Sequence, residues 1–321
     1  MKNNIFKENS RSISNACDYL TNNEVIAIKA ETVYGLAADA GNRISISKVY
    51  KLKKRPIYNP LIIHVNSIDM AKEFAIFNTD AEVLARRYWP GPLTLILKRR
   101  KIKIVHNDAV AGLDTVAVRM PNSKIFLKII SFLKKPLAAP SANKSGYISS
   151  TNANHVRDCF GHKVKMIIDS GKSNLGLEST IIDTTKKPYL IRRLGIISKK
   201  EIFDSTGLKV LLKSDIGNSK KPNSPGQLKK HYSPKTPIIL NVKKPGKDDA
   251  FLSFGKQVSR YPSSLNLSTK GDLHEAASNL FDYLRRLDKL KKNKIAVFPV
   301  PSNGIGKVIN ERLKRASVKN D

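Results

Sequence analysis

Lys53, Arg55, Asn59 and His64 fall within the twelve residues KKRPIYNPLIIH, which combine two cations, an amide and an imidazole around two prolines. Arginine can bridge two phosphate oxygens in a planar fork, and lysine adds a more mobile point charge. Asn59 could orient a nucleotide or sugar, and His64 could meet a smaller polar substrate. Further along, APSANKSG brings Ser141, Asn143 and Ser145 among small residues that let a ligand approach the backbone. LESTIID then sets Ser179 and Thr180 at the entrance to an apolar strand, with Arg192 and Arg193 after a second one. In TVAVRMP, Arg119 stands at a strand end, suited to a substrate carboxylate, and Thr32 and Tyr34 in ETVYG could shape the same pocket. Glu31 is read as a surface carboxylate. This mixture holds phosphate and carboxylate oxygens while two small molecules react, so the chemistry expected is nucleotide-dependent activation and not hydrolysis.

Several decoys are set aside by their spacing. GKS at residues 171 to 173 lacks the upstream glycine of a phosphate-binding loop, and no GxxxxGK[ST] occurs. No GxSxG elbow supports Ser179 as a nucleophile, so it is read as a hydrogen-bonding group. Gly304 and Gly306 form only part of a dinucleotide-binding turn. Cys17 and Cys159 are too few and too far apart for a disulfide framework or a cysteine zinc site, and both are read as buried spectators. The six histidines include no HExxH pair, so no structural metal is expected.

The elements that must position these residues alternate between helix and strand. Ser12 to Thr21 reads as a helix, EVIAIKA as a strand entering a turn at ETVYGL, and ISISKVYKLKK as a helix that Pro56 and Pro60 interrupt before the strand LIIHV. MAKEFAIF and DAEVLARRYW are helical, PGP turns into the strand LTLILK, and TVAVRM precedes the helix KIFLKIISFL. KMIID, STIIDT and YLIRRLG complete an open α/β sheet. Residues 213 to 236 are poor in apolar side chains and rich in turns, and read as a linker, with Tyr232 and His231 near its end as candidates to cover a bound nucleotide. Beyond it, PIIL, AFLSF and IAVFPV read as strands, and LHEAASNLFDYLRRLD and KVINERLKRAS as helices of a smaller α/β domain. The division expected is therefore 1–212, 213–236 and 237–321.

The chain has 321 residues, 40% hydrophobic and 26% charged, enough for two modest cores. It opens without the apolar stretch of a secretory signal and holds no run long enough to cross a bilayer, so a cytoplasmic protein without membrane attachment is expected. A formal charge of +32 would attract nucleotides, RNA and acidic proteins. The lysines are dispersed and no aromatic RNA-reading motif accompanies them, so direct nucleic-acid binding does not follow from charge alone.

Taken in order, ETVYGLAADA, KKRPIYNPLIIHV, WPGPLTLIL, VAVRMP, APSANKSG and ESTIID resemble the threonylcarbamoyl-AMP synthase family over about residues 8 to 200. SPGQLKKHYSP and the α/β region after it resemble the linker and C-terminal domain of the long form. The resemblance implies a YrdC-like open twisted mixed sheet joined to a smaller Rossmann-like α/β domain. It implies a nucleotidyltransferase that converts L-threonine, bicarbonate or CO2 and ATP into L-threonylcarbamoyl-AMP and pyrophosphate. A separate tRNA threonylcarbamoyltransferase complex would then modify ANN-decoding tRNAs. It assigns Thr32, His64, Arg119, Ala139 and Ser179 to threonine, and Arg55, Asn59, Thr115, Ser141, Ser149, Arg193 and Tyr232 to ATP. Lys53, Arg55, Ser141 and Asn143 form the catalytic group, with Mg²⁺ as the counterion of ATP and no all-protein metal cage. The chain departs from many members at Lys54, where they carry glycine, and in SPGQLKKHY, where they carry SPGMKYRHY. The competing reading is a basic tRNA- or double-stranded-RNA-binding protein of the same fold that makes no adenylate.

Overall fold

The computed structural model describes residues 3–212, 231–256, 261 and 263–318. Most of the linker expected over 213–236, including SPGQLKK, lies outside the described residues.

Twelve strands among the described residues form one mixed sheet. They are β1 (Ile5–Lys7), β2 (Ile26–Lys29), β3 (Tyr34–Asp39), β4 (Ile62–His64), β5 (Ala75–Ile76), β6 (Leu93–Arg99), β7 (Thr115–Arg119), β8 (Leu137–Ala138), β9 (Met166–Asp169), β10 (Thr180–Asp183), β11 (Tyr189–Arg193) and β12 (Val210–Leu212). The order across the sheet is β1-β9-β2-β3-β8-β4-β7-β6-β10-β11-β12, with β5 on β6. Helices α1 (Ser10–Thr21), α2 (Arg43–Lys53), α3 (Ile68–Phe74), α4 (Thr79–Tyr88), α5 (Lys124–Leu133), α6 (Ala153–Phe160) and α7 (Lys199–Thr206) flank it. A second sheet, all parallel, runs β13 (Ile238–Ile239), β16 (Ile295–Val297), β14 (Ala250–Ser253), β15 (Ser264–Asn266) and carries α8 (Leu273–Lys289) and α9 (Gly306–Ala316).

Local chemistry accounts for the helix starts. Asn9, Asn42, Ser67, Asn78, Asn152, Ser198 and Asp272 each accept a hydrogen bond from a first-turn amide, satisfying donors that would otherwise lack a partner. α5 buries Ile125, Phe126, Ile129 and Ile130 against one face of the sheet, together with Ile26 and Ile28. The other face packs on α2 and α4 through Ile46, Val49, Leu84 and Trp89. A third core joins the two sheets' layers: Val33, Ile148 and Leu177 pack with Phe281, Leu280 and Ile309 of α8 and α9.

Three local expectations are corrected. The turn expected at ETVYGL ends at Val33, because Tyr34 already pairs with Lys29 and YGLAAD continues as strand β3. Cys17 and Cys159 are half-buried and not enclosed spectators. The helix expected over MAKEFAIF stops at Phe74, and Ala75–Ile76 pair with β6 as β5. Elements that the sequence reading did not name are β1, α6, α7, β8, β12 and β15.

His64 closes β4, in register with Arg119 of the parallel strand β7. Its ring stacks on Phe126 at 5.0 Å between centroids and is 3% exposed. Burial, and then the neighbouring Arg119 charge, push its pKa down from 6.5 to about 3. A histidine held neutral on folding binds a proton only when the chain unfolds. Its stability contribution is therefore complete above pH 6.5 and is lost as pH falls toward 3. Between pH 7 and pH 5 this single group should remove about 2 kcal/mol of folding stability. Denaturant titrations of the wild type and of His64→Asn at both pH values check this: the variant should lose correspondingly less, and parallel losses would remove the buried neutral imidazole.

Candidate functional site

The C-terminal ends of β4, β7 and β11 and the N-terminal ends of β6 and β10 lie at one side of the large sheet, where connecting loops converge. A pocket opens there, lined among others by Thr32, Arg55, His64, Arg119, Ala139, Ser141, Glu178, Ser179, Arg193 and His231. Seven of the residues expected from the sequence thus share one wall with Arg55: Thr32, His64, Arg119, Ala139, Ser141, Ser179 and Arg193.

Arg119 is the most closely held of them. Nη1 donates to Thr32 Oγ1 at 2.9 Å, Nε to the carbonyl of Gly91 at 3.1 Å, and Nη2 to Glu31. Glu31 is therefore not the surface carboxylate expected: it is buried, and its second oxygen has no hydrogen-bond partner among the described residues. His64 Nδ1 is likewise buried without a partner. Unpartnered buried polar atoms are costly, and two of them beside a guanidinium suit a small ligand carrying both charge signs.

The phosphate-type residues form a second group. Arg55 sits just past the C-terminus of α2, where Lys54 takes a left-handed conformation at φ 51° and turns the chain. Its guanidinium donates through Nε to the carbonyl of Asn59 at 2.9 Å, and through Nη2 to Asn59 Oδ1 at 2.6 Å and the carbonyl of Pro60 at 2.7 Å. Asn59 thus serves to hold Arg55. Burial, offset in part by Tyr50 and reinforced by Arg193, lowers the Arg55 pKa to about 10, which leaves it charged at neutral pH. Arg193 donates from Nε to the carbonyl of Ser179 at 3.0 Å and from Nη2 to Ser179 Oγ at 3.0 Å, while Ser179 Oγ also meets Thr94 Oγ1 at 2.7 Å. That close approach needs Gly195 nearby, since a Cβ there would lie 2.3 Å from the amide nitrogen of Thr180.

Lys53 and Asn143 do not line the pocket. The Lys53 ammonium is 1% exposed and donates to the carbonyls of Ser141 and Asn143, the latter at 2.7 Å. Burial and then the Arg55 charge hold its pKa well below the usual lysine range. Asn143 ties the loop to itself through the carbonyls of Lys144 and Tyr147, each at 2.8 Å. The same loop is bound to β3, with Ala142 N donating to Tyr34 O at 2.7 Å and Leu36 N to Pro140 O at 2.8 Å. Gly35 permits this approach, because a Cβ there would meet Ala139 Cβ at 3.3 Å.

Three further candidates lie away from the wall. Thr115 starts β7, opposite Lys98 of β6 and four residues before Arg119. Ser149 is fully buried and donates to Glu178 at 2.6 Å. Tyr232 is enclosed against Phe281, ring centroids 5.2 Å apart, while its neighbour His231 reaches the pocket. The Tyr232 hydroxyl has no hydrogen-bond partner among the described residues. Sequence reasoning missed Glu178, although it stands directly before Ser179, and it missed Phe126 and Pro140, whose apolar character carried no signal.

Among the described residues, no group of three or more His, Cys, Asp or Glu could hold a metal ion, and no helix is long and apolar enough to cross a membrane. Residues 18–195 match the family described as telomere recombination, Sua5/YciO/YrdC type. Residues 197–318 match the C-terminal domain of threonylcarbamoyl-AMP synthase. The threonylcarbamoyl-AMP synthase of Pyrococcus abyssi is 35% identical, with 94% of this chain and 93% of that protein covered. That of Bacillus subtilis is 34% identical, with 96% and 94% covered. The crystal structure of P. abyssi Sua5 complexed with L-threonine superposes with a TM-score of 0.88 at 33% identity, covering 98% of this chain and 96% of that one. E. coli YciO shares the fold at a TM-score of 0.56 and 18% identity over 63% of this chain. The two matched regions succeed one another along nearly the whole length, and the chain belongs to the threonylcarbamoyl-AMP synthase family in its two-domain form.

Proposed function

We propose that this chain makes L-threonylcarbamoyl-AMP and pyrophosphate from L-threonine, bicarbonate or CO2, and ATP. The observation that carries the reading is the buried Arg119, held by Thr32 and Glu31 beside two unpartnered polar atoms, Glu31 Oε2 and His64 Nδ1. A guanidinium there binds the amino-acid carboxylate, and the hydroxyl groups of Thr32 and Ser179 are within the same pocket. Neutral His64 can accept a hydrogen bond from an ammonium or hydroxyl group at its unpartnered Nδ1 without repelling it. The relative from P. abyssi whose structure contains L-threonine supports the same choice of amino acid.

The reaction proceeds in two balanced steps. The threonine amine adds to CO2, forming an N–C bond and releasing a proton, to give a carbamate. A carbamate oxygen then attacks the α-phosphorus of ATP, and the bond from that phosphorus to the oxygen bridging to the β-phosphate breaks, so pyrophosphate leaves. Arg55 and Arg193, both on the pocket wall, counter phosphate charge, and Lys53 holds the 141–143 loop on which Ser141 and Asn143 stand. Catalysis then comes from positioning and charge stabilisation. Asn59, Thr115, Ser149 and Tyr232 complete the proposed ATP set, with Asn59 acting through Arg55. Both pocket carboxylates, Glu31 and Glu178, already pair with arginines, so Mg²⁺ enters with the triphosphate as part of the substrate.

We assign the domains to residues 1–212 and 237–321, joined by 213–236, and place the chain in the cytoplasm beside a tRNA threonylcarbamoyltransferase complex that takes the product. Purified protein given ATP, Mg²⁺, L-threonine and bicarbonate, without RNA, should release pyrophosphate and yield threonylcarbamoyl-AMP by mass spectrometry of the quenched mixture. Product formation should require both threonine and bicarbonate; a folded, ATP-binding protein that makes none would leave the RNA-binding alternative.

Lys54 is exposed and Arg55 is not, although they are adjacent cations. Arg55→Ala should lower kcat/KM for ATP by about ten- to a hundredfold, the loss of one charge-assisted contact, whereas Lys54→Ala should change it little. Initial rates at varied ATP separate the two, and equal behaviour would remove Arg55 as the inward cation.

A further inference from the structure

Arg312 of α9 is 0% exposed and lies more than a hundred residues along the chain from Glu178 and Leu194, which it touches just outside β10 and β11. Its Nε donates to Glu178 Oε2 at 3.2 Å, its Nη2 to the carbonyl of Leu194 at 2.7 Å, and its Nη1 to Glu311. The first two of these partners flank the site directly: Glu178 precedes Ser179, and Leu194 follows Arg193. The guanidinium also lies 5.0 Å from the Tyr232 ring centroid, on the segment that carries His231 to the pocket. One side chain of the second domain therefore touches three of the segments that border the pocket: those carrying Glu178, Arg193 and His231.

The charges give this contact a specific consequence. Glu178 lines the pocket and is buried, yet its pKa is held below the usual carboxylate range: burial raises it, and Arg312, Arg193 and the Ser149 hydroxyl outweigh that. Arg193 feels Glu178 in return. An ionised carboxylate beside the phosphate pocket is a competitor for Arg193 and repels the phosphates that Arg193 is there to hold. Arg312 sets it apart by supplying a charged donor on the side away from the pocket, with Ser149 donating to the other oxygen.

We propose that Arg312 is a positioning residue for nucleotide binding: by holding Glu178 and the Leu194 carbonyl, it keeps Arg193 available to phosphate. The proposal rests on the reading of this pocket as a nucleotide site and adds a role for the second domain in it. Removing the Arg312 charge leaves Glu178 buried and attracted to Arg193, so affinity for ATP falls even though Arg312 touches no substrate. Removing both charges relieves the competition.

The test is a charge-removal cycle in the full-length protein with Arg312→Gln and the double variant Glu178→Gln/Arg312→Gln. ATP dissociation constants by calorimetry, KM and kcat for pyrophosphate release, and thermal unfolding are measured for each. Arg312→Gln should weaken ATP binding at least about tenfold, with KM for ATP rising more than kcat falls, and the double variant should recover most of that loss. Loss and recovery of ATP affinity that are not matched by loss and recovery of thermal stability are what a purely structural role would not give. A double variant that binds ATP no better than Arg312→Gln, or an Arg312→Gln protein with unchanged affinity, overturns the proposal. Wild-type protein that binds ATP but makes no adenylate would remove the proposed reaction while the affinities still decide the role of Arg312; wild type that binds no ATP would overturn both.

Discussion

The cationic side chains taken out of water around the pocket include Lys53, Arg119, Arg193 and Arg312, none more than 9% exposed. A buried charge without partners costs several kcal/mol, so each must be enclosed by acceptors, and the loops of the site are arranged to supply them. Arg119 takes Thr32, Glu31 and the Gly91 carbonyl; Arg193 takes the backbone and hydroxyl of Ser179; Lys53 has only carbonyls. The loops are thereby fixed before any ligand arrives. Preorganised donors of this kind are worth more in a dry pocket than in water, because no solvent has to rearrange when charge develops.

The same constraint governs the acidic side chains of this chain of formal charge +32. Two carboxylates do reach the pocket, and each is already committed: Glu31 to Arg119 and Glu178 to Arg312. Other acidic side chains pair outside the pocket, as Asp183 does with Arg192 and Asp80 with Lys187. Arg192 and Arg193 are adjacent on β11 and so face opposite ways, one to a structural aspartate and one to the site.

Much of this was legible in the residues and some was not, for reasons that differ by element. Apolar runs such as LTLIL and TVAVR marked central strands, which are buried almost throughout, and α5 and α8 were visible from their helical apolar faces. β1, β12 and β15 have three residues each, too few to show a period; β1 is held by β9, far along the chain, and β12 and β15 by the strands just before them. In the site, residue type announced Arg119, Arg193 and Ser179. It did not announce direction: Lys53 and Arg55 look equivalent in KKRP, yet one points into a cage of carbonyls and the other to the pocket wall. Glu31 read as a surface group because its partner is 88 residues away. Arg312 was not singled out at all, since nothing in KVINERLKRAS reveals that Glu178 lies across from it.

The division of labour between the two domains is also less sharp in space than along the chain. Val33, Ile148 and Leu177, which come from the first domain's loops, belong to the apolar cluster of the second. Gly176 sits where any Cβ would fall 2.7 Å from the Ala277 carbonyl of α8, so the backbones meet there without a side chain between them. Asp288 receives the Tyr147 hydroxyl at 2.7 Å and the Thr236 amide at 2.8 Å, while Arg285 donates to the Ser149 carbonyl at 3.2 Å. Separating the domains would therefore expose an apolar cluster and leave Glu178, Arg285 and Arg312 short of partners at once. An interface of that composition favours one seating over many. The end of the linker at 231–236, bound to Gly146 on one side and Asp288 on the other, is held in place by both domains rather than free between them. The position of His231 on the pocket wall is then a property of the assembled pair of domains, which neither half of the chain could set by itself.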